Sequence, residues 1–243
     1  MPDHRTETVK ADDRCRIRLA IPAGLFVGMV LMVLTLVGIG IHYCIHDSFD
    51  IIQAILILFL SINIVVCYLE ICLLIQQDYV DERIEHWRNF VLDTGRSPII
   101  FFLTSKIPLS RAFLPNIWAD LWAIYLQLDK SYENRFSYGY NVDIANGFLV
   151  PIPTIILYIS YSFGIIPAQI VGIIGVMLYW QLLYGTLVYW NSFFMKNLQK
   201  KTDKLNLYII VLGFNSQWVL YSLLGLYVSI QMIVNNDYSI LGH

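Results

Sequence analysis

Apolar residues run through this chain in long unbroken blocks. Five of them have the length of a membrane-crossing helix: Leu19–Tyr43, Ile51–Ile75, Val142–Phe163, Pro167–Phe194 and Leu205–Val234. About 20 predominantly apolar residues span the hydrocarbon core as a helix, so each block predicts one crossing. The blocks are continuous and do not alternate in pieces of about ten residues, which argues against a transmembrane β-barrel. The first block is too long for a cleavable signal sequence and starts behind a polar stretch. The pattern predicts an all-α integral membrane bundle of five transmembrane helices. A polar cytoplasmic tail over residues 1–18 precedes a single domain over residues 19–243.

The connection Asp78–Asn141 is too long for a plain turn and should carry structure of its own. Ile84, Trp87, Phe90 and Val91 recur at three- and four-residue steps among charged residues, which predicts a short amphipathic helix. A second apolar patch, Ile99–Leu103, ends at Lys106 and Pro108. Asn116–Leu128 places Trp118, Trp122 and Tyr125 along one helical face. That segment is too short to cross and is expected to lie in the interface or to cap the bundle.

Composition agrees with the pattern. Of 243 residues, 57% are hydrophobic and 14% charged, against about 45–50% and about 25% in average proteins. The net charge of −2 is uninformative, but its distribution is not. Lys and Arg fall in the N-terminal tail, in the long second connection and between the fourth and fifth blocks. The remaining turns carry none, so five crossings put every basic residue on one side. By the positive-inside rule the N terminus is cytoplasmic and the C terminus is not. Cys15, Cys44, Cys67 and Cys72 show neither a disulfide framework nor zinc-ligand spacing. Gly24 and Gly28 form a small-xxx-small pair, a spacing that lets helices approach closely.

Within the spans, polar residues line up at helical spacing. Asn63, Cys67 and Glu70 share a face of the second span; Asp143, Asn146 and Gly147 share one on the third, with Pro151 and Pro153 beyond. Gln181 and Tyr184 align on the fourth, and Asn215, Trp218 and Tyr221 on the fifth. Such groups commonly join helices by hydrogen bonds. Four helices each presenting a polar face also describe a polar-lined internal cavity, a common form for a small-molecule site. Carboxyl groups at bilayer depth, Glu70 and Asp143, mark that site by default.

His42 and His46 are expected at the interface end of the first span, and spans two to five hold no His. Metal ligands are therefore lacking, and no metal or organic cofactor is implied. No nucleophile with an adjacent base and no phosphate-binding glycine loop is visible. Proton transfer by carboxyl groups remains. Burial favours the neutral acid, and two acids in different surroundings can divide into donor and acceptor. Aromatic faces would stabilise a carbocation formed by protonating an alkene or epoxide.

Trp122, Tyr125, Asp129 and Tyr132 form W-x2-Y-x3-D-x2-Y; Asp143, Tyr184-Gly185 and Asn215-x2-Trp218 follow in order. This series resembles the emopamil-binding protein family, or EXPERA domain, over about residues 51–234. The resemblance implies a five-helix membrane bundle with a cavity open toward lipid. It also implies carboxyl-driven isomerisation of sterols through a carbocation. By position, Glu70 matches the acid of the second helix, Asp143 that of the third, and Asn215 with Trp218 the fifth-helix pair. Val66 stands where the isomerases carry His, Asp143 replaces a Glu, and Thr186 replaces an acid. A changed acid set in a retained cavity points to a different terpenoid substrate.

The expected function is that of an endoplasmic-reticulum membrane enzyme. It would protonate a terpenoid or sterol-like lipid and cyclise or isomerise it. Glu70, Asp143 and Asn215 are the expected catalytic residues. Asn63, Asn146, Gln181, Tyr184, Trp218, Tyr221 and Trp122 are expected to contact substrate. The partners are a hydrophobic small molecule (a terpenoid, prenylated phenol or sterol), the bilayer and, as an option, a second copy in a homodimer, with no nucleic acid. The alternatives are a sterol delta8-delta7 isomerase proper and a non-catalytic sterol or lipid binder. A transporter is disfavoured, because no inverted repeat is visible.

Overall fold

In a computed structural model the structure describes residues 19–129, 135–200, 202 and 204–243. The tail to Arg18, Cys15, Lys130, Tyr132 and Lys201 lie outside the described residues. The chain is 83% helical, and among the described residues four helices are long and apolar enough to cross a membrane, or five if one bent pair counts as a single span. It is an all-α bundle of integral membrane type.

The first crossing, α1, is Ala23–His46, and α2 is Ile51–Ile75, with the bounds that its apolar block predicts. Asp50 starts α2 by accepting a hydrogen bond from the Gln53 N–H at 2.8 Å, as an N-cap carboxylate does. Ala20–Pro22, expected as the opening of the first span, instead forms β1. It pairs antiparallel with β2, Lys106–Pro108, with Ile21 opposite Ile107. Pro22 lacks the N–H that a further helical turn would use, so the helix begins after it.

The described part of the long connection holds three α-helices, with β2 and a 3-10 turn, Leu109–Arg111, between the second and third. Helix α3, Gln77–Thr94, follows α2 after a single intervening residue and is longer than the periodicity suggests. Helix α4 is Pro98–Thr104 and α5 is Pro115–Leu128. Trp118 and Trp122 point inward and are 1% and 9% exposed, so α5 caps the bundle. Their indole N–H groups donate to the Ala112 carbonyl (2.8 Å) and the Leu69 carbonyl (2.6 Å). Asp120 ties α5 to α3, accepting from Arg83 Nε at 2.5 Å and from Trp87 Nε1 at 2.9 Å.

The third block is two helices, α6 (Tyr138–Leu149) and α7 (Pro151–Phe163), bent by 51°. Pro151 and Pro153 explain the break, since neither has an N–H to continue the ladder. Asp143 lies in the second turn of α6, past the helix start where it was expected. The remaining crossings are α8, Ala168–Met195, and α9, Lys204–Asn235. Within α9, Leu207–Phe214 is π-helical and ends against Asn215. Outward faces remain apolar, as lipid contact requires: Leu25, Met32, Leu36, Ile152, Ile173, Met177, Leu220 and Val234 are among the exposed large side chains.

Helices α8 and α9 pack closely where glycines remove the bulk. A Cβ at Gly225 would sit 2.4–2.5 Å from the Tyr179 ring, and one at Gly175 would lie 2.2 Å from Ser229 Oγ. Tyr179 is fully buried and has no room to yield. Gly225→Ala is therefore expected to destabilise the bundle by about 1–3 kcal/mol through overpacking. Gly28→Ala, with nothing within 4 Å, should leave the melting temperature unchanged or raise it. Thermal unfolding in detergent, followed by circular dichroism, checks both. Of the Gly24–Gly28 pair only Gly24 meets a neighbour, the Leu103 carbonyl at 3.2 Å.

At the other end of the molecule the chain folds back on α1 and α2. His42, in the last turns of α1, is 1% exposed because the segment Tyr238–His243 covers it. Ser48 Oγ donates to the Gly242 carbonyl at 2.6 Å, and Tyr238 donates to the Ile166 carbonyl at 2.6 Å. Burial, with His46 and His42 alongside, holds the His243 imidazole down to about 4, so this ring is neutral at neutral pH.

Candidate functional site

Helix α2 carries the predicted polar stripe inward: Asn63, Cys67 and Glu70 are 2%, 2% and 5% exposed. Steps of four and three residues keep them on one side of the helix, and that side faces α6 and α7. Gly147 makes the approach possible. A Cβ there would lie 3.0 Å from Glu70 Cβ and 3.1 Å from the Glu70 carbonyl carbon. Asp143, one turn earlier on the same face of α6, is thereby placed within electrostatic range of Glu70. The Cys67 thiol is within hydrogen-bonding reach of the Glu70 carboxyl. The second carboxyl oxygen, Oε2, is buried with no hydrogen-bond partner among the described residues.

A third acid joins these two. Asp129, at the C-cap of α5, is completely buried. Its Oδ2 accepts a short hydrogen bond from the Tyr189 hydroxyl of α8 and a longer one, 3.4 Å, from Tyr125. Tyr125 also shares a hydrogen bond with Asn215 and feels the charges of Asp129 and Asp143. Burial pushes its hydroxyl well above the usual range, and the two carboxylates push it further, so Tyr125 stays a proton donor. Side chains from α2, α5, α6, α8 and α9 thus meet around Glu70, Asp143 and Asp129. Asn215 reaches this group from the turn where the π-helical stretch of α9 ends. The extra residue of a π turn rotates the following side chains about the helix axis.

The other expected site residues divide. Asn63 Nδ2 donates to Thr154 Oγ1 at 2.8 Å, and Gln181 Nε2 donates to Asn146 Oδ1 at 3.1 Å. Both bonds join neighbouring helices, so these polar groups engage one another across the layer expected to line a chamber. Trp122 sits beside the acids, but its indole N–H is held by the Leu69 carbonyl. Trp218 and Tyr221 pack on Phe59 of α2, with ring centroids 6.4 Å and 5.2 Å away. Tyr184 is 55% exposed and stacks on the outward-facing Trp180. It is corrected to a lipid-facing position, because its neighbours Leu183 and Thr186 take the buried side of α8.

Asp129 and Tyr189 join this group without being among the expected site residues. The W-x2-Y-x3-D spacing carries a signal for Asp129, whereas no motif marks Tyr189. A depression of about 280 Å³ lined by Leu74, Ile75, Gln76, Gln77, Asp78 and Tyr79 lies at the α2–α3 junction, one turn beyond Glu70. Among the described residues, the group of three potential metal ligands is His42, His46 and His243. It lies at the opposite end of α2 from Glu70, about 25 Å along the helix.

No known protein family, no curated protein and no solved structure matches the chain.

Proposed function

We propose that this protein is a membrane enzyme that protonates an olefinic or epoxide lipid and cyclises or isomerises it through a carbocation. A single observation carries the reading: Glu70, buried near the C-terminal end of α2 with Oε2 unpartnered among the described residues, faces a second acid, Asp143, beside Gly147. Two carboxyl groups at close range in an apolar setting do not both ionise, so the pair holds a proton for transfer. That proton passes to the double bond or epoxide oxygen of the lipid. A neighbouring C–H of the cation then returns a proton to the basic carboxylate, and the acid pair is restored. Asn215 and Tyr125 orient the carboxyl groups, and the rings of Trp218 and Tyr221 shield positive charge.

The order of motifs supports membership of the EXPERA family in fold. The altered acid set favours a terpenoid or prenylated phenol over a standard sterol-isomerase substrate. The endoplasmic reticulum, where such lipids are made and modified, is the proposed location, with a cytoplasmic N terminus.

Membranes containing the protein, incubated with sterols and prenylated phenols in heavy water, provide the test. Deuterium should enter the product at one carbon, or at the oxygen of an opened epoxide, and should be absent from membranes carrying Glu70→Gln. Conversion at a normal rate without solvent deuterium at carbon from an alkene substrate rules the mechanism out. Binding of sterol without any product supports a lipid binder instead.

A further inference from the structure

We propose that His42, His46 and His243 form a binding site for one divalent transition-metal ion of the zinc, copper or nickel type. The three imidazoles come from two places far apart in sequence: one turn of α1 and the segment that follows α9. Their ring centroids lie 4.9 Å (His42–His46), 4.8 Å (His42–His243) and 3.8 Å (His46–His243) apart. One donor atom from each can be chosen so that all lie within 4.8 Å of one another. Imidazole nitrogens around a tetrahedral ion, at about 2.0–2.1 Å from it, stand about 3.4 Å apart. A ring movement on the order of 1 Å therefore closes the site.

The hydrogen bonds already sort ligating nitrogens from orienting ones. His42 Nε2 lies 3.4 Å from Ser48 Oγ, while His42 Nδ1 is buried with no hydrogen-bond partner among the described residues. His46 Nε2 is likewise buried and unpartnered. His243 Nε2 faces the Tyr161 carbonyl at 3.4 Å, which leaves Nδ1 for a ligand. A metal-bound imidazole commonly uses its second nitrogen in this way, bonded to a hydroxyl or carbonyl that fixes the ring. His42, 1% exposed and carrying an unsatisfied nitrogen, has no obvious role in packing that an apolar ring would not fill better.

The surroundings are built for this arrangement. Gly164, at φ +65°, is kept free of a side chain, since a Cβ would lie 2.7 Å from His243 Nδ1. Gly242, at φ +77°, turns the chain against Asp50, whose negative charge acts on both His42 and His243. Gln53, fully buried, donates to the same Tyr161 carbonyl at 3.3 Å, and its Oε1 has no partner among the described residues. A set of three imidazoles with a carboxylate nearby suits a borderline divalent ion and not calcium or magnesium, which take oxygen ligands. Three protein ligands leave the fourth position to water. The ion staples residues 238–243 to the α1–α2 turn, on the face away from the basic loops.

The test uses the full chain in detergent, stripped with chelator and titrated with Co²⁺, whose visible spectrum reports tetrahedral nitrogen coordination. One equivalent per chain should bind and be displaced by Zn²⁺. His46→Gln and His243→Gln should each weaken binding by about 100-fold or more. His86→Gln, remote from the cluster, should bind as the parent does. Zn²⁺ should raise the melting temperature of the parent and of His86→Gln but not of the cluster variants. Helical circular dichroism shows that the variants are folded. Equal binding by parent and the His46→Gln/His243→Gln double variant overturns the proposal, as does a stoichiometry that His86→Gln lowers equally.

Discussion

Glu70→Gln is expected to lower turnover of the reacting lipid by about 10²–10⁴-fold while leaving the fold intact, the range a positioned general acid or base contributes. Gln has the size of Glu and can still meet the Cys67 thiol, but it carries no transferable proton. The substitution also removes one of two like groups that face each other beside Gly147. The variant should therefore melt at the parent temperature or above it. Asp143→Asn should lose turnover to a similar degree. The double variant should lose little beyond either single one, because acid and base act as a unit. Solvent-deuterium incorporation and initial rates in lipid nanodiscs measure this. Full activity in either single variant would remove that acid from the mechanism. A loss of activity accompanied by a lower melting temperature would point to structure, not chemistry.

The second large effect is on stability and belongs to Asp129. This carboxylate is completely buried, and one oxygen accepts the hydroxyls of both Tyr189 and Tyr125. A hydrogen bond to a charged group contributes about 1.5–3 kcal/mol, and unsatisfied partners add to the cost of losing it. Asp129→Ala is expected to destabilise the protein by about 3–5 kcal/mol for the two bonds. Asp129→Asn keeps an acceptor oxygen and should lose about half as much. Tyr189→Phe removes one bond and should fall below Asp129→Ala. Unfolding by denaturant in mixed micelles, read by tryptophan fluorescence, orders the three variants. If Asp129→Ala melted with the parent, the carboxylate would be no anchor between α5 and α8. Because Tyr125 links Asp129 to Asn215 and to the charge of Asp143, the same variants should disturb turnover as well.

Much of this arrangement was legible from residue spacing. Ile51–Ile75 was readable to the residue, because an aspartate cap and a glutamine pair bracket one apolar run. The stripe Asn63–Cys67–Glu70 follows from helical period alone and does face inward. Pro151 and Pro153 sit where a 51° bend divides the third block, which the apolar pattern alone reads as one crossing. Tyr184 shows the limit of the same argument. Period says which residues share a face, but the rotation of α8 against its neighbours decides which face is buried, and small residues set that rotation. Gly172 meets the Ser229 carbonyl, and Gly175 meets its side chain.

By its own composition and periodicity the chain determined a membrane bundle, the extent of its crossings and an acid on the inner face of α2, since those depend on local length, polarity and helical pitch. Which groups then meet was decided by tertiary packing. The hydroxyl of Tyr189 reaches Asp129 across 60 positions, and His243 closes on His42 and His46 from the far end of the described chain. Neither contact leaves a trace in spacing, because the distance between two helices in space is set by the side chains that pack between them and not by the residues that separate them in sequence.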